Sequence, residues 1–507
     1  MARDANRCTL IDVIVRNARM RGDAVAFRQS REVTHRKHLR SVEQLATGLH
    51  DAGIGRGDRI AILSRNRIEY LDLLGAAASL GAMVSAINWR LSDTEVAAVL
   101  ESDEPKIVLV EDEFWPLPGT SLARGAGPEP VAIDHRRPGF RCLDDFYAVH
   151  ASSRPAGAIS ADDPLLLIHT AWLDGRPKAA ILSHANLLAN ALQLQCAWGL
   201  TVHDVQLCAL PLFHSTAISL TLATQLAGGC TVFMPKYDAE QAATLIDRHR
   251  VTLLGEFAPM LEKLLASGDV PSRLRSLRHV CGLDSPQTIR QLEALCPDAT
   301  FWTGYGQTEA SGLVSLAPSR SASGSAGFPL PLCAIDIVDE EGLPRPCGEV
   351  GEIVVRGPSV FLGYWKRPLD NDHVFRGGCL HTGDSGYLDA EGRLFYSGRL
   401  AVKELIKTGG ENVYPAEVEA VLREHPALRD AAVIGVPDGQ WGEAVKAICT
   451  PAAGATLTED EVIAFVAQRI ARYKRPRSVV FVPALPKRPD GSNDRERIRQ
   501  LYGSPQG

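Results

Sequence analysis

The sequence predicts an α/β protein made of several folding units. Its 507 residues are enough for about three units at roughly 150 residues each. In the first and largest part, short aliphatic strands alternate with amphipathic helices, which is typical of a mostly parallel sheet with helices on both faces. Two changes of pattern follow, one near Gly348 and one after Arg399. We therefore expect a large α/β part, a small β part and a final α+β part.

The elements of the first part are read from hydrophobic periodicity. Strands are predicted over Arg59–Leu63, Ile107–Val110, Leu165–Ile168, Cys230–Met234 and Val251–Leu254. Helices are predicted over Ile68–Leu80, Asp93–Leu100 and Ala239–Arg248, and a further helix opens at Ser183–Asn186.

The second and third parts differ in texture. Strands over Glu352–Arg356 and Arg393–Tyr396, separated by glycine-rich turns without a long helix, predict a small β unit. After Arg399, a compact α+β unit is predicted from helices over Ala416–Glu424 and Glu459–Ala471 and strands over Ala431–Val436 and Ala444–Thr450.

Composition excludes several classes of protein. With 45% hydrophobic and 22% charged residues the chain is neither disordered nor fibrous. A net charge of -6 and 6% aromatic residues argue against a nucleic-acid partner. Eleven cysteines without a Cys-x-x-Cys pair fit a reducing, cytoplasmic location. The uncharged stretches Leu73–Trp89 and Val205–Pro235 are interpreted as buried helix and strand, so we expect no membrane span.

The segment from His169 to Lys178 lies between two apolar strands and has some features of a phosphate-binding loop. Such a loop needs backbone amides that point at oxygen atoms, and one cation. This segment, however, has one glycine and carries Trp172, Leu173 and Asp174. Read alone, it is a surface turn.

Three further segments combine glycines with chemically useful side chains. In Thr303–Glu309, two glycines flank Tyr305, whose ring could lie on a purine or pack as a core tyrosine in a tight turn. In His381–Tyr387, Asp384 presents a carboxylate, the usual acceptor for ribose hydroxyls. Lys403–Pro415, read alone, is a β-hairpin leading into a helix.

In this order, these segments resemble the adenylate-forming superfamily of acyl-CoA synthetases, luciferases and peptide-synthetase adenylation domains. The resemblance covers nearly the whole chain and extends to Leu210–His214, Gly351–Trp365 and Tyr473–Pro476. It implies an N-terminal AMP-binding domain (1–398) of two α/β subdomains plus a small β-barrel, a hinge (399–404) and a mobile α+β C-terminal lid (405–507).

The resemblance also implies a two-step reaction. A carboxylate attacks the α-phosphate of Mg-ATP, and after rotation of the lid the thiol of CoA displaces AMP. By position, Tyr305 would stack on adenine, Asp384 would bind the ribose, and Arg399 would touch ribose or phosphate. The implied AMP- or acyl-adenylate-binding set is Asp284, Tyr305, Gly306, Thr308, Glu309, Asp384 and Arg399. The implied catalytic residues are His214, Gly409 and Gly410, and the implied CoA-binding residues are Lys407, Gly409 and Gly410.

The chain departs from the family's pattern in three places. In the phosphate loop, Thr170, Gly175, Pro177 and Lys178 remain, whereas Ala171, Trp172, Leu173 and Asp174 replace glycine and hydroxyl residues. Ser492 stands where the family has the lysine of the adenylation step, and loss of one such group costs about 100–1000-fold in rate. Lys487 or Arg488 are alternative donors, and Leu400–Val402 looks like an insertion at the hinge.

These losses affect the groups that serve ATP, whereas the groups expected to hold AMP and CoA remain. We therefore predict an acyl-CoA ligase that performs only thioesterification, similar to non-adenylating ligases of the platensimycin type in diterpenoid-antibiotic pathways. It would take a preformed acyl-adenylate from an upstream adenylating enzyme and transfer the acyl group to CoA, and the resemblance implies a diterpenoid acyl group. Mg-ATP would not be required, no metal ligand is assigned, and Glu309, the family's magnesium ligand, would be structural.

Two alternatives stay open, a complete ATP-dependent acid:CoA ligase and a non-catalytic homologue that holds acyl-adenylate or CoA. Walls of the acyl pocket are expected around His214, Glu256–Pro259 and Trp302–Gly306. Gly255, Gly282 and Gly304 would leave room there for a bulky acyl group.

Overall fold

The structure is a computed structural model that describes residues 8–115, 127–147, 159–173, 176–321, 323–399, 405–439, 441–488 and 493–503. Within these ranges no helix combines the length and the apolar character needed to cross a membrane.

The helices lie between the strands throughout the chain. They are α1 Leu10–Arg21, α2 His35–Asp51, α3 Ile68–Leu80, α4 Asp93–Asp103, α5 Leu143–Tyr147, α6 His184–Trp198, α7 Ser215–Ala227, α8 Ala239–His249, α9 Met260–Leu265, α10 Val270–Arg273, α11 Pro286–Leu295, α12 Pro368–Val374, α13 Pro415–Arg423, α14 Glu459–Ala467 and α15 Arg495–Tyr502.

The strands form four sheets. They are β1 Val25–Arg28, β2 Glu32–Thr34, β3 Arg59–Leu63, β4 Met83–Ala86, β5 Ile107–Val110, β6 Glu129–Ala132, β7 Arg141–Cys142, β8 Pro164–Leu173, β9 Arg176–Ser183, β10 Val205–Cys208, β11 Cys230–Phe233, β12 Leu253–Phe257, β13 His279–Leu283, β14 Thr300–Gln307, β15 Gly312–Pro318, β16 Phe328–Pro329, β17 Ala334–Val338, β18 Gly351–Arg356, β19 Gly363–Tyr364, β20 Leu380–Leu388, β21 Leu394–Arg399, β22 Ile406–Thr408, β23 Glu411–Val413, β24 Leu428–Asp438, β25 Gly442–Pro451 and β26 Ser478–Phe481.

Two large sheets make up the first part of the molecule. One has nine strands in the order β16-β15-β14-β13-β12-β10-β11-β1-β2 and is parallel from β14 to β1. The other has eight strands in the order β19-β9-β8-β4-β3-β5-β6-β7 and is parallel from β8 to β7. Buried residues of both sheets join one hydrophobic cluster that includes α6 and α7. The predicted parallel α/β architecture is confirmed, with two sheets that share a core.

The two smaller sheets are mainly antiparallel. One follows the order β17-β18-β20-β21, so the unit expected as a barrel is a four-stranded sheet in the residues that the structure describes. The other contains β23-β22-β25-β24, with β26 pairing parallel to β25, and has its own core. The proposed limits of the hinge stay a prediction, since residues 400–404 lie outside the described ranges.

Most predicted elements have the observed type, but several boundaries differ, and two of these differences have a clear cause or consequence. The strand predicted from Val251 begins at Leu253, because Arg250 takes a left-handed conformation and the Val251 amide closes helix α8 on the Ile246 carbonyl. The helix predicted to Ala471 ends at Ala467. Beyond it, the Ala471 amide donates to the Glu95 carboxylate, 2.9 Å away, instead of continuing the helix.

Candidate active site

Three predicted site residues meet where β14 faces the β20–β21 hairpin. The Tyr305 hydroxyl donates to Asp384 at 2.8 Å, and the Tyr305 ring stacks on Tyr396 with centroids 6.1 Å apart. Asp384 lies opposite Arg399 in the strand register, and its carboxylate is 3.6 Å from the Arg399 guanidinium. Burial, with the Asp384 charge, holds the pKa of Tyr305 well above its usual range, so Tyr305 remains a donor. The structure thus brings together three predicted site residues and adds Tyr396.

Backbone geometry at the end of β14 requires glycine. A Cβ on Gly306 would lie 2.1 Å from the Gly312 carbonyl oxygen, so this position is limited to glycine by close strand approach. Just beyond, the Thr308 hydroxyl lies 3.3 Å from that of Ser215, the first residue of α7. His214 is the residue that precedes Ser215. Two motifs that are far apart in sequence therefore meet at the carboxyl edge of the sheet, where ligands bind in α/β folds.

Glu309 is buried beside Lys178. The Tyr364 hydroxyl donates to Glu309 at 2.7 Å. The Lys178 ammonium lies 3.8 Å from the centroid of the Tyr364 ring and 3.6 Å from Asp370. Burial lowers the pKa of Lys178, and the charges of Asp370 and Glu309 oppose that shift. The cation retained from the expected phosphate loop already has protein partners.

The segment that resembles a phosphate loop forms the end of a β-hairpin. Strands β8 and β9 pair antiparallel through Trp172↔Pro177 and Leu173↔Arg176. The backbone pairing therefore continues as far as Leu173 and Arg176, where the described residues of the two strands end. Asp174 and Gly175 lie outside the described residues, as do the side chains of Ala171, Trp172 and Leu173, so predictions that depend on those side chains stay predictions.

A second hairpin, formed by β22 and β23, brings the C-terminal part of the chain to the site. Gly409 and Gly410 form its turn with positive φ angles of 57° and 82°. A Cβ on Gly410 would lie 3.2 Å from the Phe257 side chain. Lys407 lies exposed on this hairpin, and its backbone amide donates to Glu443 at 2.7 Å. Of the two glycines predicted to line a thiol path, Gly410 therefore lies against the large domain, whereas Gly409 lies against Trp441 of the C-terminal part.

Glu411 anchors this hairpin to the large domain. Its carboxylate accepts from His214 at 3.2 Å and from Asn88 at 3.3 Å, and it pairs with Arg90. Burial alone would raise the pKa of Glu411, but His214, Arg90 and Asn88 outweigh it and lower the value to about 2. The carboxylate is consequently ionised at any physiological pH.

A buried ion triad forms the second anchor. The Lys474 ammonium, 2% exposed, lies 2.7 Å from Glu95 on α4 and 2.7 Å from Glu417 on α13. Burial would lower the pKa of Lys474, but both carboxylates together raise it. The triad links the two parts of the molecule through one cation.

An aromatic ring flanked by cations lies next to the glycine turn. The Trp441 ring is 2.5 Å from where a Gly409 Cβ would be. The Arg477 guanidinium lies 5.1 Å from the centroid of the same ring, and the Lys263 ammonium lies 5.8 Å from it. Such a cluster can stack on a base and attract phosphate.

Asp284 directly follows β13, is partly buried and faces a second acid, Glu256. One Asp284 carboxylate oxygen accepts from the Ser285 amide at 2.6 Å. Glu256 is fully buried, and burial together with Asp284 raises its pKa well above the usual range. The role assigned to Asp284 in nucleotide binding stays a prediction.

The expectation of room near three glycines was wrong. A Cβ on Gly255 would lie 2.4 Å from the Leu220 side chain, one on Gly282 2.0 Å from the Glu256 carbonyl oxygen, and one on Gly304 2.5 Å from the Ser315 carbonyl oxygen. These glycines permit close packing of the protein with itself. They therefore give no indication of the size of the acyl group.

Lys487, one of the alternative donors, is held within its own domain. Its ammonium lies 2.5 Å from Asp430 and 2.6 Å from the Asn493 side-chain oxygen. Ser492 lies outside the described residues.

Sequence reasoning missed several residues of the site. Glu411 and Lys474 lie within recognised motifs, but their partners are hundreds of residues away, so only the neighbouring glycines and prolines signalled importance. For Asp370, Tyr396 and Trp441 no local pattern carried a signal.

Comparison with known proteins agrees with this geometry. A model of the AMP-binding enzyme family matches residues 14–365, and one of the AMP-binding enzyme C-terminal domain matches residues 417–491. A feruloyl-CoA synthase from an Amycolatopsis species is 35% identical over 503 residues, covering 96% of this chain and 98% of the relative.

Two solved structures of one protein are also similar. Bacillus subtilis o-succinylbenzoate CoA synthetase, as a double mutant with its product analogue, has 27% identity and a TM-score of 0.85, covering 96% of this chain and 97% of that one. The same synthetase with its acyl-adenylate intermediate has 27% identity and a TM-score of 0.70, covering 98% of both chains. The chain belongs to the adenylate-forming superfamily of AMP-binding enzymes and, within it, to the acyl-CoA ligases.

Proposed function

We propose that this ligase catalyses only the second half of the family's reaction. A preformed acyl-adenylate and CoA would enter, and a thioester and AMP would leave. The CoA sulfur attacks the carbonyl carbon of the mixed anhydride, a carbon–sulfur bond forms, and the bond from that carbon to the phosphate oxygen breaks. The thiol loses its proton to solvent, and AMP departs with the electron pair.

The observation that carries the proposal is the continuous backbone pairing of strands β8 and β9. A loop that holds the β- and γ-phosphates of ATP needs backbone amides that point outward into a concave site. Here the strands pair up to Leu173↔Arg176, so the backbone around the former loop faces itself across the hairpin. The sequence adds a bulky indole and a carboxylate at positions 172 and 174.

The missing lysine supports the same conclusion. Ser492 stands at the position of the adenylation lysine. Lys487 is a poor substitute, because Asp430 and Asn493 already bind its ammonium. The step in which carboxylate attacks ATP would thus lack its bridging charge, which is usually worth about 3–4 kcal/mol in the transition state.

The residues that we assign to thioesterification, by contrast, are retained. Tyr305, Asp384 and Arg399 would hold the nucleoside, and the turn at Gly409 and Gly410 would line the pantetheine path. His214, drawn to Glu411, would border the point where thiol and anhydride meet. This step depends mainly on proximity, which a shaped tunnel supplies.

Two further observations concern CoA itself. The Trp441 ring, with Arg477 and Lys263 beside it, has the stacking surface and charge that a phosphorylated adenosine would need. The whole-chain likeness is also greater to the relative that holds its product analogue than to the same relative with acyl-adenylate, with TM-scores of 0.85 and 0.70. Both support a lid orientation suited to thioester formation.

The acyl group and its source are also part of the proposal. A diterpenoid acyl-adenylate made by an upstream enzyme rests on the sequence resemblance alone. Glu309, although retained, has a structural partner in the Tyr364 hydroxyl, which agrees with a role that does not involve magnesium.

A complete ATP-dependent ligase is the second candidate. The observation that favours it is the identity of 35% over nearly the whole chain to a feruloyl-CoA synthase.

One paired assay separates the candidates. Purified protein receives ferulate, o-succinylbenzoate or a diterpenoid acid with Mg-ATP and CoA, and in parallel the corresponding synthetic acyl-adenylates with CoA alone. We expect thioester and AMP only from the acyl-adenylates. Pyrophosphate and thioester from the acids would contradict the proposal, and no product from either set would favour a non-catalytic homologue.

A further inference from the structure

We propose that Asp370 makes the phosphate end of this site selective for a nucleoside monophosphate by occupying Lys178, the cation that would otherwise bind a diphosphate. This inference rests on the proposed function, since it explains how the site accepts an acyl-adenylate while it disfavours ATP. It depends only on residues whose side chains the structure describes.

Lys178 is the side chain on which the inference depends. It lies on β9, where its Cα pairs with Ala171 in the hairpin that replaces the phosphate loop. Its side chain is 15% exposed, so the ammonium is largely shielded from water. Asp370 lies 3.6 Å away and supplies the largest favourable charge interaction that acts on it. The cation is therefore balanced before any ligand arrives.

Local structure holds Asp370 in this position. Asp370 follows Pro368, the first residue of the short helix α12. The neighbouring Asn371 accepts from the Tyr364 amide at 2.7 Å and donates to the Tyr364 carbonyl at 3.2 Å. The helix is thus tied to the residue whose ring lies against Lys178. Asp370 is fixed opposite the ammonium at little entropic cost.

The balance of charge distinguishes the two kinds of ligand. Glu309 also faces Lys178, and Arg367 adds a weaker positive charge nearby. The phosphate of an acyl-adenylate carries a single negative charge, whereas ATP brings about four to the same region. A fixed carboxylate beside this largely shielded ammonium therefore repels the polyphosphate more than the monophosphate. The low polarity of a buried site increases that difference in repulsion.

The test compares Asp370→Asn with a matched control on the same helix. Asp372 is exposed, so Asp372→Asn removes the same charge without approaching Lys178. Binding of AMP, ATP and inorganic pyrophosphate is measured by calorimetry without divalent metal. We expect Asp370→Asn to tighten ATP and pyrophosphate binding by about tenfold, as the removal of one nearby unit charge implies. AMP binding should change by less than about twofold, and Asp372→Asn should match the wild type.

A double-mutant cycle links the effect to Lys178. In a Lys178→Met background, Asp370→Asn should no longer favour ATP to the same degree, because the freed ammonium is absent. Asp370→Ser serves as a second variant should Asn disturb α12, and thermal melting checks both.

The inference is overturned if ATP affinity does not change, if AMP affinity rises in parallel, or if no ATP binding is detected in any variant. Its failure is distinct from that of the proposed function. Pyrophosphate release by the wild-type enzyme would end the latter, whatever Asp370→Asn does to ATP affinity.

Discussion

Glu411 is a single residue that joins the two domains at the site. Its carboxylate is buried and has three partners on the large domain, His214, Asn88 and Arg90. These partners lower its pKa to about 2 although burial alone would raise it. A group whose pKa is depressed in the folded state stabilises that state above its unfolded pKa, about 4.3, and this contribution is lost as the pH falls toward 2.

Replacing Glu411 with Gln should weaken docking of the lid. Loss of the buried charge leaves Arg90 with a neutral partner, at a cost of about 2 kcal/mol, or about 30-fold in the docked population. We expect thioester formation from acyl-adenylate to fall by a similar factor, measured as kcat at saturating CoA. In the wild type, the contribution of Glu411 to the stability of the docked lid should be constant from pH 8 to about 5 and should decline below that pH.

Glu424→Gln is the control for this change, because Glu424 is exposed on the same domain. An equal loss of activity in the control, or none in Glu411→Gln, would show that Glu411 does not anchor the hairpin.

The buried triad of Lys474, Glu95 and Glu417 connects two helices of different domains. It joins α4 of the large domain to α13 of the lid through a cation that is 2% exposed. Removing the cation leaves two buried carboxylates, a change that usually costs about 3–5 kcal/mol. Because the pKa of Lys474 is raised, its contribution is complete below its unfolded pKa of about 10.4 and is lost only as the pH rises through the folded value.

Lys474→Met should therefore release the lid. We expect faster limited proteolysis of the lid and a lower melting temperature, both measurable on the purified protein. A cycle with Glu95→Gln should give a coupling energy of about 1 kcal/mol or more. Additive effects would mean that the two side chains do not interact across the domains. Lys446→Met provides a comparison, as another buried lysine on the lid.

The helices and strands also show how far sequence patterns predict the bounds of secondary structure. Strand β3 and helix α3 have the predicted bounds, because each has an apolar run that suits its period. The helix predicted to Ala471 ends at Ala467, and the Ala471 amide donates instead to Glu95, on another domain. A local period cannot include such a partner.

The orientation of the lid relative to the large domain is a property of the whole molecule. A two-step ligase needs the lid in two orientations, whereas thioester formation alone needs one. The orientation seen here is held by Glu411 and by Lys474, each with partners on the large domain.

Solution scattering should show one orientation throughout. We expect the same profile for the free protein, for the protein with AMP and for the protein with a non-reactive sulfamoyl analogue of an acyl-adenylate. The Lys474→Met variant should give a different profile and so shows that the method detects lid movement. A shift of the wild type upon addition of the adenylate analogue would indicate that the lid alternates.

The sequence by itself determined the class of fold, the family and the order of its motifs, because these depend on local periods and on residue types at short spacing. It also placed Tyr305, Asp384 and Arg399 in one site through resemblance, and the structure brings them together. Only the tertiary structure decided that Glu411 meets His214, which is 197 residues away, and that Lys178 faces Asp370. It also showed that glycines expected to leave room are filled by neighbouring atoms. These contacts depend on how separate sheets and domains pack. The hydrophobic periodicity of a segment does not indicate which distant side chain will pack against it.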